Sequence, residues 1–408
     1  MQRIFRWLAL VCIALLTFID RGGGDLVANE RNEATLANRR WSANLLTKAN
    51  IGGREYLAWV DTGNTRSLIQ SEPGSRQFND YELREVFVRD GVTGGRIKQR
   101  AFFGVPVATS GCPEMPLDIV EMDLTLFSNC KSWGINAAIG MDYLRHVVLY
   151  MEGSERGMTI QTSSRAKHRG YRVPVSIRSG APYVTISLPG GFSVECVVDT
   201  GQDFLLTVSP ELARQLGRFG HSVPAPAETG LTAQGAVKTP THVIRWIEFA
   251  NVRFNDIQVC ESQRPAIGLA LLEHFDCVFD FPRQEAWLSP LNDGRIVRIE
   301  PDASGLFVGY EPDGRAVILR VEQDYPAGRT RIAKGDELIT LNGRKVRELS
   351  YREVARALSC RGTRVMLVLK HAQSTYAVDL RLDRPFEYPP RWTAEDLVPK
   401  AKFLPDDN

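Results

Sequence analysis

The sequence predicts a mostly β chain, with two similar β-rich lobes followed by a smaller α+β unit. Three observations carry that prediction. An apolar strand running into Asp-Thr-Gly occurs twice, at Asp61-Thr62-Gly63 and Asp199-Thr200-Gly201, 138 residues apart. The same landmarks follow each copy in the same order, which marks an internal repeat. The last third instead alternates short strands with an Asn-Gly turn and one helical pattern.

Length and composition fit this architecture. At about 150 residues per domain, 408 residues allow two to four domains. Hydrophobic residues are 43% and charged residues 24%, so the chain as a whole is able to bury a core. The 34 Gly and 22 Pro favour turn-rich β structure over helical bundles. Lys and Arg (50) nearly balance Asp and Glu (48), and a net charge of +2 argues against nucleic acid as the main partner.

The N-terminus has a layout of its own. Arg3 and Arg6 precede an apolar run from Trp7 to Ile19, followed by Asp20, Arg21 and Gly22-Gly23-Gly24. This is the order of regions in a secretory signal. As a helix the run spans about 20 Å, short of the ~30 Å hydrocarbon core. Residues 1–28 are therefore expected to be a signal peptide or an N-terminal anchor, with Leu26-Val27-Ala28 the best small-residue cleavage candidate. That expectation makes the protein exported, to the periplasm or cell envelope, with membrane contact only through this segment if it stays uncleaved. Six cysteines follow Cys12, and Cys112/Cys130 and Cys260/Cys277 are close enough in sequence to be bridged; buried thiols are the other expectation. No CxxC, zinc-spaced His/Cys cluster, GxGxxG, Walker A or GxSxG pattern is present.

The repeat is built from matching elements. Leu57 to Val60 and Val194 to Val198 are the strands entering the two motifs, and Ser67-Leu68-Ile69 and Phe204-Leu205-Leu206 are the apolar runs leaving them. About thirty residues on, each half has a glycine-rich turn between extended stretches. The first contains Gly91, Gly94 and Gly95; the second contains Gly230 and Gly235. Both read as hairpins. Then come Ala138-Ile139-Gly140 and Ala266-Ile267-Gly268, each followed at equal spacing by a leucine (Leu144, Leu272) and a histidine (His146, His274). Val147 to Tyr150 and Cys277 to Phe281 close the halves as extended segments.

These residues resemble the retropepsin/pepsin-like aspartic protease family, over roughly residues 42 to 292. The resemblance implies two β-barrel lobes, each supplying one Asp, joined here in one chain as a pseudo-dimer active without a second copy. It assigns Asp61 and Asp199 as the catalytic dyad. It makes Thr62, Gly63, Thr200 and Gly201 the support of the catalytic loops, and the glycine hairpins flaps that close over substrate. The chemistry suits the residue types. Amide hydrolysis by water needs a base for the water's proton and an acid for the carbonyl. Two adjacent carboxyls sharing one proton provide both. No metal or organic cofactor is required.

The chain departs from the family where a small residue usually follows Asp-Thr-Gly, having Asn64 and Gln202 instead. The Asn64 amide is able to donate to the carboxylate as a hydroxyl would, whereas Gln202 is longer and less suited to it, which puts the pH optimum rather than the activity in question. Asp203 is read as an exposed acid, Asp142 and Asp280 as structural, and His146 and His274 as packing or capping residues.

The C-terminal third resembles a PDZ domain, over roughly 300 to 384. The marks are Tyr325-Pro326-Ala327-Gly328, the run Lys334-Gly335-Asp336-Glu337-Leu338-Ile339 and the turn Asn342-Gly343. A helix is expected over Leu349 to Leu358, then a hairpin of Arg364–Leu369 with Tyr376–Leu380. The resemblance implies a site for peptide C-termini, with Gly305, Leu306 and Phe307 as the carboxylate loop. The predicted domains are 1–28, protease lobes at 29–165 and 166–292, a PDZ domain at 297–384, and an extended, proline-rich tail at 385–408. Linkers are expected at 163–172 and 290–298. The expected function is an exported aspartic endopeptidase acting on peptides or proteins. The alternative is a non-catalytic peptide-binding pseudoprotease or envelope scaffold.

Overall fold

The computed structural model describes residues 45–70, 78–89, 94–109, 112–124, 135–152, 157–161, 169–202, 204–232, 235–291, 296–298, 302–310, 315–349 and 351–383. The predicted signal or anchor, the tail, Gly91, Cys130 and Asp203 lie outside these residues. The described chain is mostly β and folds into several sheets.

The first half contains β1 (Leu46–Ile51), β2 (Arg54–Val60), β3 (Leu68–Gln70), β4 (Glu82–Arg89), β5 (Arg96–Thr109), β6 (Met115–Met122), β7 (Ala137–Ile139), the single helical turn α1 (Met141–Leu144), β8 (Val148–Glu152) and β9 (Gly157–Gln161). The second contains β10 (Tyr171–Pro174), β11 (Ser176–Arg178), β12 (Ala181–Ser187), β13 (Ser193–Val198), β14 (Leu206–Val208), the helix α2 (Pro210–Arg218), β15 (Ser222–Thr232), β16 (Gly235–Phe249), β17 (Val252–Glu261), β18 (Ala266–Ile267), the turn α3 (Leu269–Leu272), β19 (Phe275–Asp280) and β20 (Glu285–Pro290).

The two halves share one strand order. The first sheet runs β1-β2-β7-β3-β6-β5-β4 and closes on itself through β1–β5. The second runs β12-β13-β18-β14-β17-β16-β15, with β11 added beside β12, and closes through β12–β16. The strand senses agree as well: β2 is parallel to β7 as β13 is to β18, and β3 is parallel to β6 as β14 is to β17. Alternating side chains let one face of each sheet point inward. Along β1 the buried Thr47, Ala49 and Ile51 alternate with the half-buried Lys48 and the exposed Asn50 and show that selection.

A third sheet joins the halves in the order β10-β20-β19-β8-β9, so β8 of the first half pairs antiparallel with β19 of the second. One hydrophobic cluster runs through both, from Ile51 and Val105 through Leu149 and Ile160 to Phe279 and Leu288. The halves therefore share one large core, beside which the first half keeps a smaller cluster around Trp59, Leu68 and Val120.

Gly140 and Gly268 explain the repeated apolar-apolar-Gly signature. A Cβ on Gly140 would collide with the Arg66 carbonyl, and one on Gly268 with the Phe204 carbonyl. The segment leaving each Asp loop passes too close for any side chain there.

Beyond this, β21 (Ile296–Arg298) pairs parallel with β17. This corrects the expected linker at 290–298, part of which adds a strand to the second sheet. The remaining unit has β22 (Leu306–Tyr310), β23 (Ala316–Val321), β24 (Glu337–Leu341), β25 (Arg344–Lys345), α4 (Tyr351–Ser359), β26 (Arg364–His371) and β27 (Ser374–Arg381). It has its own core, including Ile318, Leu338, Val354 and Leu367. Asn342-Gly343 is the two-residue turn between β24 and β25, with both residues at positive φ. The helix starts at Tyr351, two residues after the expected Leu349, which is the last residue before it to bury an apolar side chain.

Cys260 and Cys277, expected as a possible bridge, are not joined; both are buried thiols. Burial pushes the Cys277 thiol far above its ordinary pKa, which keeps it inert. No helix among the described residues is long and apolar enough to cross a membrane.

Candidate active site

Strand β2 delivers Asp61 and β13 delivers Asp199 to the junction of the halves. Each Asp amide is fixed by the signature strand of its own half: Asp61 N donates to Ile139 O and Asp199 N to Ile267 O, both at 2.9 Å. Both side chains are buried, and the carboxyls are hydrogen-bonded to each other. A Cβ on Gly63 would collide with the Asp199 carboxyl, and one on Gly201 would lie 2.5 Å from the Asp61 Cγ. Glycine is required at both places because each loop's backbone lies against the opposite acid.

The threonines tie the loops together. Thr62 Oγ1 donates to Val198 O (2.6 Å), and Thr200 Oγ1 donates to Val60 O (2.8 Å). In return Thr62 N donates to Thr200 Oγ1 and Thr200 N to Thr62 Oγ1, both at 3.0 Å. All of these atoms are buried, so each bond satisfies a group that water does not reach.

The two acids are held differently. Asp61 accepts from Gly63 N (2.8 Å), Asn64 N (3.1 Å) and Asn64 Nδ2 (2.6 Å). Asp199 accepts from Gly201 N (3.0 Å), and its Oδ2 lies 3.8 Å from Arg264 Nη2. Gln202 does not copy Asn64: its Nε2 is buried with no hydrogen-bond partner. Desolvation raises the Asp61 carboxyl well above its usual range, with the Asp199 charge adding to it. Desolvation also raises Asp199, against the pull of Arg264. Two such acids retain a shared proton at pH values where an ordinary carboxyl has lost it.

The expected flaps are long hairpins. Strands β4 and β5 pair from Glu82↔Phe103 to Arg89↔Arg96, and β15 and β16 pair from Ser222↔Ile244 to Thr232↔Gly235. Gly94, at positive φ, reaches the other half: a Cβ there would lie 3.7 Å from Gln263 Cγ. Gly95 follows it, and Gly230 and Gly235 stand at the far end of the second hairpin. Asp142 accepts from Ser67 N and Oγ, and Asp280 binds Arg283, so both serve local structure. His146 accepts from Arg145 at the surface, and His274 packs against Phe254.

In the C-terminal unit, Gly305 N donates to Asp302 Oδ2 and Leu306 N to Ser304 Oγ. Two of the three amides expected to hold a peptide carboxylate are thus engaged inside their own loop. Phe307 is partly exposed, with Arg320 stacked on its ring.

Sequence reasoning missed Arg264. The signal was available, because four residues before Gly140 the first half has Asn136, and the charged residue at the matching place in the second half breaks the repeat. No protein-family model matches the chain, and no curated protein matches it. Among solved structures, a photosystem II D1 C-terminal processing protease aligns over 20% of this chain and 23% of its own, at 24% identity and a TM-score of 0.19. The chain thus spans less than a quarter of that protein's length. An overlap of this size carries no argument, and the functional reading rests on the site.

Proposed function

We propose that the chain is an aspartic endopeptidase with the two-lobed pseudo-dimer fold, using Asp61 and Asp199 as its dyad. One observation carries the reading: two buried, hydrogen-bonded carboxyls on repeated loops, each loop locked to the other by Thr62 and Thr200. The pair supplies the chemistry that amide hydrolysis needs. The ionised member takes a proton from water as the hydroxyl adds to the carbonyl carbon. The protonated member gives its proton to the carbonyl oxygen, producing a neutral tetrahedral diol. Return of a proton to the amide nitrogen then lets the C–N bond break. The hairpins closed by Gly94 and Gly235 are flaps over that cleft, excluding water that would screen the pair.

The C-terminal unit is read as a PDZ domain for protein C-termini. A ligand carboxylate would have to take the Gly305 and Leu306 amides from Asp302 and Ser304. Export to the cell envelope, by the segment at 1–28, is part of the same proposal.

The test is hydrolysis of a mixed peptide library between pH 3 and 8. Asp61→Asn or Asp199→Asn each lowers turnover by about 10³-fold or more, with folding intact. Full activity in either variant would refute the dyad. A non-catalytic peptide-binding scaffold is the competing reading. It draws on Gln202, whose amide does not support Asp199 as Asn64 supports Asp61. Peptide binding without hydrolysis at any pH, unchanged in the double Asn variant, would favour it.

A further inference from the structure

The repeat makes the two acids nearly equivalent, yet one charged side chain, on one half only, stands within ion-pair distance of just one of them. Arg264 lies between Glu261, the last residue of β17, and β18, four residues before Gly268. Its backbone is pinned: Arg264 N donates to Ser262 Oγ (3.2 Å), and its carbonyl accepts from Ser262 Oγ (3.1 Å) and Thr207 Oγ1 (3.4 Å). From there the guanidinium crosses to the other half, where Nη2 donates to Gly63 O at 2.9 Å. The same nitrogen stands 3.8 Å from Asp199 Oδ2. The counterpart Asn136 does something else: its Oδ1 accepts from Leu57 N at 3.0 Å, holding strand β2. Arg264 therefore has no mirror image.

Among the described residues, the charged groups acting on Asp61 are Asp199 and Arg264, and the one lowering Asp199 is Arg264. The neutral donors oppose any bias toward Asp199, because Asp61 has three and Asp199 has one. The Asn64 amide does not decide the matter. If Asp61 holds the proton, the amide turns so that its oxygen accepts from that carboxyl. A full positive charge on the half-buried Arg264, facing a buried carboxyl, outweighs a neutral donor that can reverse its role.

We infer that Arg264 is a positioning residue that breaks the symmetry of the pair, drawing the negative charge to Asp199 and leaving the shared proton on Asp61. The assignment rests on reading the pair as a dyad. It deepens that reading by giving each acid its role. Asp199 takes the proton from water, and Asp61 donates to the substrate carbonyl. The bond to Gly63 O adds a mechanical part. Because Gly63 belongs to the Asp61 loop and Arg264 to the Asp199 half, the side chain fixes the distance between the carboxyls. Arg264 sits next in sequence to Gln263, the residue that a Cβ on the first hairpin's Gly94 would meet at 3.7 Å.

The experiment is carboxyl ¹³C NMR of the full chain with labelled aspartate, followed through a pH titration. Each member's resonance is identified by its absence in Asp61→Asn or Asp199→Asn. In the wild type, over the range where one proton remains, Asp199 shows the ionised shift and Asp61 the protonated one. In Arg264→Gln both titrations move to higher pH and the two shifts converge. Arg264→Lys, which keeps the charge, restores the separation. Hydrolysis read alongside falls about 10- to 100-fold in Arg264→Gln, with its pH profile displaced upward. Titrations identical in wild type and Arg264→Gln, or a protonated Asp199 in the wild type, would overturn the assignment. A wild type that hydrolyses nothing but shows the expected titrations removes the protease reading and leaves the charge assignment standing. Hydrolysis with unmoved titrations does the reverse.

Discussion

Thr62 and Thr200 each give one hydroxyl to a carbonyl of the opposite strand and receive one amide in return. Replacing either with alanine strands a buried carbonyl and a buried amide. Such a variant loses about 2–5 kcal/mol in denaturant unfolding, the cost of two unsatisfied groups. Serine at the same position keeps the hydroxyl and recovers most of it. The acids themselves behave in the opposite way. Their folded pKa values are raised, so the native state binds more protons than the unfolded chain, and stability falls as pH rises above the ordinary carboxyl range. Asp61→Asn and Asp199→Asn, which remove that burden, raise the melting temperature at neutral pH. The gain shrinks as pH drops below the unfolded carboxyl value. A gain independent of pH, or a loss at neutral pH, would contradict the shared-proton account.

At the scale of elements, the landmarks written into the repeat were legible because each has a local physical cause. Glycine at 140 and 268 is forced by a passing carbonyl, and glycine at 63 and 201 by the opposite carboxyl. Gly268→Ala meets backbone that has nowhere to move, so the variant should fail to fold or lose its cooperative transition. Gly217, in α2 at an ordinary backbone conformation and with no contact for a Cβ closer than 3.8 Å, provides the control. The helix α2 was equally legible and was not read: Ser209 caps it by accepting from Leu212 N, with Pro210 in its first turn. Ser209→Ala costs about 1 kcal/mol in thermal unfolding. The Cys260/Cys277 pairing misled because closeness in sequence says nothing of direction. The two residues lie on different strands, β17 and β19, which belong to different sheets. The engaged amides of Gly305 and Leu306 were hidden for a similar reason. Asp302 and Ser304 read as ordinary loop residues until the turn brings their oxygens onto those amides.

For the whole molecule, the repeat indicated two halves but not how they are joined. The sheet β10-β20-β19-β8-β9 mixes strands from both, and a pattern of apolar residues does not say which partner an extended segment will choose. The consequence is testable. With β8 paired to β19 and one hydrophobic cluster shared, a chain nicked between residues 161 and 169 should stay a single species in size-exclusion chromatography and unfold in one transition. The first half expressed alone would expose the β8 edge and the apolar surface that now meets Phe279 and Leu288, and should aggregate or self-associate. Separate transitions for the two halves would show that the joining sheet contributes little.

Both Asp loops belong to one polypeptide, and that frees them from a rule binding any assembly of identical copies. A symmetric dimer repeats every substitution on both sides of its axis. Here the repeat has Asn64 where the other half has Gln202, and Asn136 where it has Arg264, so each side has changed without its twin. A mutation introduced into one half alters the cleft on that side alone. On the proposed reading, preferences for residues before and after the cut bond become separately adjustable, by selection or by design.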